Sequence, residues 1–324
     1  MHSINELQDL IKKAFNPALF THEPAELYDP ITYTLNLGGK RIRPLLVLLG
    51  CDLFGGNIEK AMPAAIAIEL FHNFTLLHDD IMDCAPLRRG QETVYKKWNT
   101  NIAILSGDTM FALAYEYLSQ CNPQVLPSAL SEFTRTARLV CEGQQYDMNF
   151  EKQKVVSIND YLEMIRLKTA VLIGCSLKLG SILAKAPDQE TEKIYSFGEN
   201  IGMAFQLQDD LLDVFGDEQK FGKEIGRDIV SGKKTFLLLK AFEIASQKER
   251  TELGKCFSEQ FISEKEKISR VKTVYQLLNI KEITLREIEK YYSMAQEFLN
   301  DIQVEKSSKK VLDSFANELL KRDF

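Results

Sequence analysis

Leu7, Leu10, Ile11, Ala14 and Phe15 recur at helical spacing and form one apolar stripe, which stops at Pro17. Pro24 and Pro30 punctuate the next segment. The stretch from Leu45 to Phe54 predicts a buried helix, and Gly55-Gly56-Asn57 a turn. From about Ile58 to Asp83 the run AAIAIELFHNFTLLHDD is nearly continuously apolar, so this long helix is expected to be buried on most sides. Further helices are predicted from Asn101 to Cys121 and over about 128–150. Another begins at Ser157, where Ser-Ile-Asn-Asp160 reads as a capping box, and continues through the small-residue stretch TAVLIGCSLKLGSILA. The next covers about Glu190 to Phe215. Gly222, Gly226 and Gly232 then break the pattern, and helical periodicity resumes at Thr235 and continues to the C-terminus. No run alternates with period two and no hairpin turn stands out. The expectation is all-α, with many helices packed as a single large helical bundle.

The helix ending at Asp83 carries the first candidate chemistry. Asp79, Asp80 and Asp83 close it, and Arg88 and Arg89 follow. On a helix Asp79 and Asp83 share a face, one turn apart. Like charges at that spacing cost an isolated helix a few tenths of a kcal/mol, so local stability does not select them. A hard divalent cation would: Mg²⁺ takes oxygen ligands and is usually held by one or two carboxylates plus substrate phosphates. A lone DDxxD reads equally well as a solvated acidic helix end. A second copy, Asp209, Asp210 and Asp213 in FQLQDDLLD, ends another apolar helix and again precedes a basic segment, GKEIGRDIVSGKKT.

Taken singly, the basic residues of LNLGGKRIRP read as a solvated loop, His72 as a core histidine and Lys168 as a surface lysine. Two aspartate motifs facing each other change that. Bridging Mg²⁺ would turn six carboxylates into a clamp for a diphosphate. Cations at 40–43, 88–89, 168, 223 and 233 would take the remaining phosphate oxygens. The apolar helix interior would receive a hydrocarbon tail. The chain has no GxxxxGK[ST], no HRD-like loop and no paired nucleophile and base. That pattern points to cleavage of a carbon–oxygen bond with metal-bound diphosphate leaving, in a cavity that keeps water from a carbocation.

Composition narrows the setting. A net charge of -6 argues against nucleic acid or an anionic membrane as partner. No uncharged apolar run reaches 18 residues, so membrane insertion is not expected. The N-terminus lacks the order of a signal peptide. The six cysteines are scattered without CxxC or zinc spacing, which fits small core residues in a reduced, cytoplasmic setting.

These residues resemble a known family. GGKRIRP from Gly38, LLHDDIMD with the Arg88-Arg89-Gly90 triplet, Gly143-Gln144, Lys168-Thr169, FQLQDDLLD and GKEIGRD with GKKT occur in the order found in trans-isoprenyl diphosphate synthases, the polyprenyl synthetase family. The resemblance covers most of the chain and implies one polyprenyl synthetase domain over 1–324, of the isoprenoid synthase fold, with a central active-site cavity. It implies head-to-tail (1′-4) condensation of isopentenyl diphosphate with an allylic diphosphate. Asp79 and Asp83 would hold two Mg²⁺ ions and Asp209 a third, with Asp80, Asp210 and Asp213 in support. Lys40, Arg43, His72 and Arg89 would hold isopentenyl diphosphate. Arg88, Lys168, Gln206, Lys223 and Lys233 would hold the allylic diphosphate, while Thr169 and Gln206 steady the carbocation. The released diphosphate would accept the proton, and the resemblance implies a homodimer, the usual state of family members, with one cavity per subunit.

The resemblance also implies that product length is set at the floor of that cavity. Thr75 lies about 6 Å deeper than Asp79 on the same face, and Phe74 about 7.5 Å deeper and rotated. In the family, one aromatic at the position of Phe74 resembles C20 synthases, and aromatics at both positions resemble C15 synthases. Geranylgeranyl diphosphate is therefore the expected product, with Phe71 a further stop. Farnesyl diphosphate or a longer chain is the alternative, followed by a terpene cyclase or a non-catalytic prenyl synthase subunit. The two complete aspartate motifs argue against the last pair.

Overall fold

The helical periodicity of the sequence becomes helix almost throughout. The computed structural model describes residues 2–216, 225–258 and 263–320, apart from the side chains of 17 and 18. Lys223, and Lys321 and Arg322 near the C-terminus, lie outside the described residues. The chain gathers into two compact units, each built from separated segments. The first is Met1–Ala137, Cys175–Tyr195 and Ile302–Leu312; the second is Arg138–Gly174, Ser196–Asp301 and Asp313–Phe324.

In the first unit, α1 (Ile4–Ala14), α2 (Ala25–Asn36), α3 (Ile42–Leu53), α4 (Ile58–Met82), the short α5 (Val94–Lys97) and α6 (Thr100–Ser119) follow in order. Helix α4 is the spine. Asn57 caps it by accepting from the Lys60 N–H, and α3 and α6 pack on its flanks. Ala61, Ala64, Ala65 and Ala67 are fully buried, which lets the neighbouring helices approach closely. Pro30, expected to punctuate the chain, instead sits buried inside α2.

Helix α7 (Leu126–Lys152) begins in this unit, and the second half of α9 (Val171–Leu183) belongs to it. There α9 meets α3 at two glycines. A Cβ on Gly50 would stand 2.3 Å from the Leu177 carbonyl oxygen, and one on Gly180 would stand 2.1 Å from that of Val47. Lys178, a charge within an apolar run, is only 9% exposed; its ammonium reaches Glu132 at 3.0 Å and Glu192 at 2.5 Å. The pairing explains how a lysine is tolerated there.

One expectation fails here. After α4 the chain forms a two-stranded antiparallel hairpin, β1 (Leu87–Arg88) with β2 (Gln91–Glu92). Its two-residue turn is Arg89-Gly90, both at positive φ (54° and 76°). That is the type I′ arrangement whose twist suits a hairpin, reached with Arg where Asn or Asp is usual. The absence of an Asn-Gly or Asp-Gly pair and of alternating flanks hides it in the sequence.

The second unit holds α8 (Ile158–Ile165), the rest of α7 and α9, most of α10 (Asp188–Phe215), and α11 (Arg227–Ser231), α12 (Phe236–Ile244), α13 (Gln247–Ser258), α14 (Glu264–Leu277) and α15 (Ile280–Asp301). Most of α16 (Lys306–Leu320) also belongs here. Tyr161, Phe236, Leu237, Val271 and Tyr275 lie in its core. The capping box at Ser157 is present: Ser157 Oγ accepts from the Asp160 N–H at 3.0 Å, and Asp160 Oδ2 accepts from the Ser157 N–H at 3.1 Å. Between α8 and α9 the helix widens into a π turn over Arg166–Ala170. Gly143 of α7 is pressed against it, since a Cβ there would meet the Lys168 backbone nitrogen at 2.3 Å.

All six cysteines are free. Four are buried as expected, but Cys84 and Cys141 are exposed. Cys84 ends up at the surface because it follows the C-cap of α4, where φ turns positive (51°). No helix among the described residues is long and apolar enough to cross a membrane.

The glycine contacts separate packing from propensity. Gly180→Ala must displace backbone and is expected to cost about 2 kcal/mol or more. Gly254→Ala, on α13 with nothing within 4 Å, is expected to stabilise by about 0.5–1 kcal/mol. Denaturant unfolding of both variants checks this; a neutral Gly180→Ala would contradict the close approach of α3 and α9.

Candidate active site

The first unit brings together its candidate residues at the end of α4. Asp79 and Asp80 lie in the last turn and Asp83 is the C-cap, its N–H donating to the Asp79 carbonyl at 2.8 Å. Carboxylates at a helix C-terminus oppose the macrodipole, so this placement costs stability and calls for cations. Arg88, on β1, answers part of that call. Its Nε donates to both Asp80 oxygens (2.8 and 2.9 Å), and its Nη2 lies 2.7 Å from Asp80 Oδ1 and 3.6 Å from Asp79 Oδ2. Arg88 is thus engaged with the aspartate motif itself. Burial still raises the Asp80 pKa, with the Asp79 charge adding to it against Arg88.

The cations expected to hold isopentenyl diphosphate converge on the start of α3. Lys40 is exposed on a loop in which Gly38, Gly39 and Arg41 all take positive φ. The Arg89 guanidinium packs on Gly39, where a Cβ would stand 2.7 Å from Nη2, and the positive φ of 135° there favours glycine. Arg43 Nη1 lies 3.0 Å from His72 Nε2. Arginine can only donate, so His72 Nε2 accepts and the ring is neutral with its proton on Nδ1. Burial first, then Arg43, Arg89 and Arg88, hold the His72 pKa well below its ordinary value.

Beneath these cations lies a residue not expected to contribute, Glu69. It is buried, one Oε atom accepts from Asn73 Nδ2 at 3.2 Å, and the other has no hydrogen-bond partner. Burial raises its pKa, while Arg43, Asn73, Arg41 and Arg89 oppose the rise. The signal in the sequence was a single glutamate inside an apolar run.

Phe71 and Phe74, expected to form the floor, belong to an aromatic cluster. The Phe74 ring centroid lies 4.8 Å from that of His78, 5.1 Å from Phe111 and 5.6 Å from Phe71. Phe71 is fully buried and packs edge-on to Phe133 at 5.4 Å. Thr75 spends its hydroxyl on the His72 carbonyl, at 2.8 Å.

The second unit brings together a different set. The π turn carries Lys168 and Thr169. Lys168 Nζ donates to Asp147 Oδ2 at 2.6 Å, and Thr169 Oγ1 donates to Gln206 Oε1 at 3.0 Å. Burial pulls the Asp147 carboxyl upward, but Lys233 and Lys168 outweigh it and hold it below its ordinary range. Asp147 and Tyr161 are further residues that sequence reasoning did not assign. Gln206 Nε2 donates to Asp210 Oδ1 at 3.0 Å, and Tyr161 OH donates to Asp210 Oδ2. Asp213 Oδ2 accepts the Asp228 N–H at 3.0 Å, tying the motif to α11. Burial, then the Asp228 carboxylate, push Asp210 up to about 7 and Asp213 up to about 6.

Among the described residues, no three or more His, Cys, Asp or Glu side chains are gathered as a ready-made metal cage. The donor chemistry nevertheless fits Mg²⁺, because oxygen-only motifs with few protein ligands suit an ion that keeps water and substrate oxygens.

Residues 24–278 match the polyprenyl synthetase family, so the chain belongs to that family, a family of prenyltransferases. It is 37% identical over 322 residues to a geranylgeranyl pyrophosphate synthase of Geoglobus acetivorans, covering 99% of this chain and 98% of that one. A crystal structure of a geranylgeranyl pyrophosphate synthase superimposes with a TM-score of 0.95 at 44% identity, over 100% of both chains. A Caulobacter crescentus polyprenyl synthase, complexed with calcium and isoprenyl diphosphate, is 27% identical with a TM-score of 0.88, over 99% of this chain and 98% of that one. The all-α fold is that of the isoprenoid synthases.

The neutral His72 yields a pH prediction. Its folded pKa lies below the unfolded value of about 6.5, so it contributes stability above that pH, which is lost as pH falls toward the folded pKa, by up to about 1.4 kcal/mol per unit. The difference in unfolding free energy between wild type and His72→Gln should therefore shrink from pH 7.5 to 5.5. A difference constant with pH would contradict the neutral assignment.

Proposed function

We propose that the chain catalyses Mg²⁺-dependent head-to-tail (1′-4) condensation of isopentenyl diphosphate with an allylic diphosphate, with geranylgeranyl diphosphate as the main product. The observation that carries the product length is the aromatic cluster at Phe74, backed by Phe71 and Phe111, with Thr75 rather than a second ring beside it. The full-length likeness to geranylgeranyl pyrophosphate synthases supports the same reading.

Bound Mg²⁺, held by Asp79, Asp83 and Asp209 with Asp80, Asp210 and Asp213 in support, would neutralise the diphosphate leaving group. The protein's own groups do the rest. Lys40, Arg43 and Arg89 bind the homoallylic diphosphate, and His72 stays neutral beside them. Arg88, Lys168, Lys233 and Lys223 serve the allylic diphosphate. Asp147 holds Lys168 on the π turn, which lowers the entropy lost on binding. Thr169 and Gln206 present oxygens to the electron-poor carbon. The phenyl rings around Phe74 exclude water and stop the growing tail. With no protein base in this scheme, the departing diphosphate takes the proton.

We read 1–324 as one synthase domain, since the family match spans segments of both units. Exposed Ile104, Leu105 and Leu130 in the first unit support a homodimer. The free cysteines support a reducing, cytoplasmic setting.

Incubation with Mg²⁺, isopentenyl diphosphate and, separately, dimethylallyl, geranyl and farnesyl diphosphates is expected to give a dominant C20 product by mass. Phe74→Ala is expected to lengthen it by at least one C5 unit. A C15 stop would move the floor toward the metals, an unchanged product in the variant would remove Phe74 from it, and no elongation with any primer would overturn the reaction class.

A further inference from the structure

Tyr161 is 1% exposed and lies in the core of the second unit, yet its hydroxyl reaches the aspartate motif. It belongs to a chain of four groups whose hydrogen-bond direction can be worked out. Both the Tyr161 O–H and the Gln206 amide NH₂ donate to Asp210. An amide that turns its nitrogen to Asp210 must turn its oxygen to Thr169. Thr169 then donates its only proton to Gln206 Oε1. Its oxygen lone pairs are not used by that bond. Reversed, the same chain would turn the threonine proton toward the substrate, where it would oppose positive charge.

The π turn makes this alignment possible. In a regular α-helix, residues eight apart are rotated by about 80°. The wider turn over Arg166–Ala170 takes up most of that rotation and returns Thr169 to the face of Tyr161. Both can then reach Gln206 and Asp210, which are themselves one turn apart on α10.

We propose that Tyr161 is a positioning residue that anchors Asp210 and, through it, the chain Tyr161–Asp210–Gln206–Thr169, so that Thr169 is held with a lone pair available to the electron-poor allylic carbon. This rests on the reaction given under Proposed function. Tyr161 is too deeply buried to touch substrate, and it acts only through the order it imposes.

The test is a double-mutant cycle on the full chain with Mg²⁺, isopentenyl diphosphate and farnesyl diphosphate, comparing wild type, Tyr161→Phe, Thr169→Val and the double variant. Tyr161→Phe keeps the buried ring, and near-ultraviolet circular dichroism checks its packing. Its kcat is expected to fall about 10-fold or more, with KM for both substrates and the Mg²⁺ concentration at half-maximal rate within about 2-fold of wild type. In the Thr169→Val background the same change is expected to alter kcat by less than about 2-fold, because the group being oriented is gone. Equal losses in both backgrounds would mark Tyr161 as merely structural and overturn the proposal. So would a wild-type kcat in Tyr161→Phe, or a shifted Mg²⁺ requirement. If the wild type itself gave no elongation, the reaction reading would fall first; if it elongated normally and the cycle showed no coupling, only this proposal would fall.

Discussion

Burying carboxylates among apolar helices is unfavourable unless each is answered by a donor or a cation, and that constraint organises both units. Asp80 is answered by Arg88, Asp147 by Lys168, and Asp210 by Tyr161 and Gln206. A purely structural protein gains nothing from collecting such charges at helix ends where the dipole already disfavours them. The collection is explained if a divalent cation and a diphosphate complete it. The protein's own pairs then act as supports for groups left to the ligand, and burial, followed by the Asp228 carboxylate, raises Asp210 and Asp213 in the second motif.

Placing these groups requires irregular backbone at a few points. The Arg89-Gly90 turn puts Arg88 beside Asp80 and sends Arg89 against Gly39. The π turn sets Lys168 over Asp147 and Thr169 over Gln206, and Gly143 makes room for it. Regular helices supply the rigid frame, and these departures from regularity position the candidate residues.

Much of this was legible in the residues. Helical periods located the long helices to within a few residues, and the paired DDxxD motifs named the carboxylates. The buried partners were not legible, because their roles depend on non-local contacts. Glu69 and Asp147 look like ordinary helical acids until Arg43 and Lys168 are placed beside them. Tyr161 sits at a normal core position, and nothing in its neighbours announces a bond to a residue 49 positions away. The hairpin was missed because Arg-Gly seldom fills a type I′ turn. Cys84 and Cys141 were misjudged because cysteine composition says little about single positions.

The aspartate motifs are proposed to hold a diphosphate through divalent cations. Calorimetric binding of farnesyl S-thiolodiphosphate, an unreactive analogue, with and without Mg²⁺ separates the two contributions. Affinity is expected to be at least about 100-fold higher with Mg²⁺, or about 2.7 kcal/mol. Equal affinity in its absence would mean that the lysines and arginines alone recognise the diphosphate, and the role given to the carboxylates would be wrong.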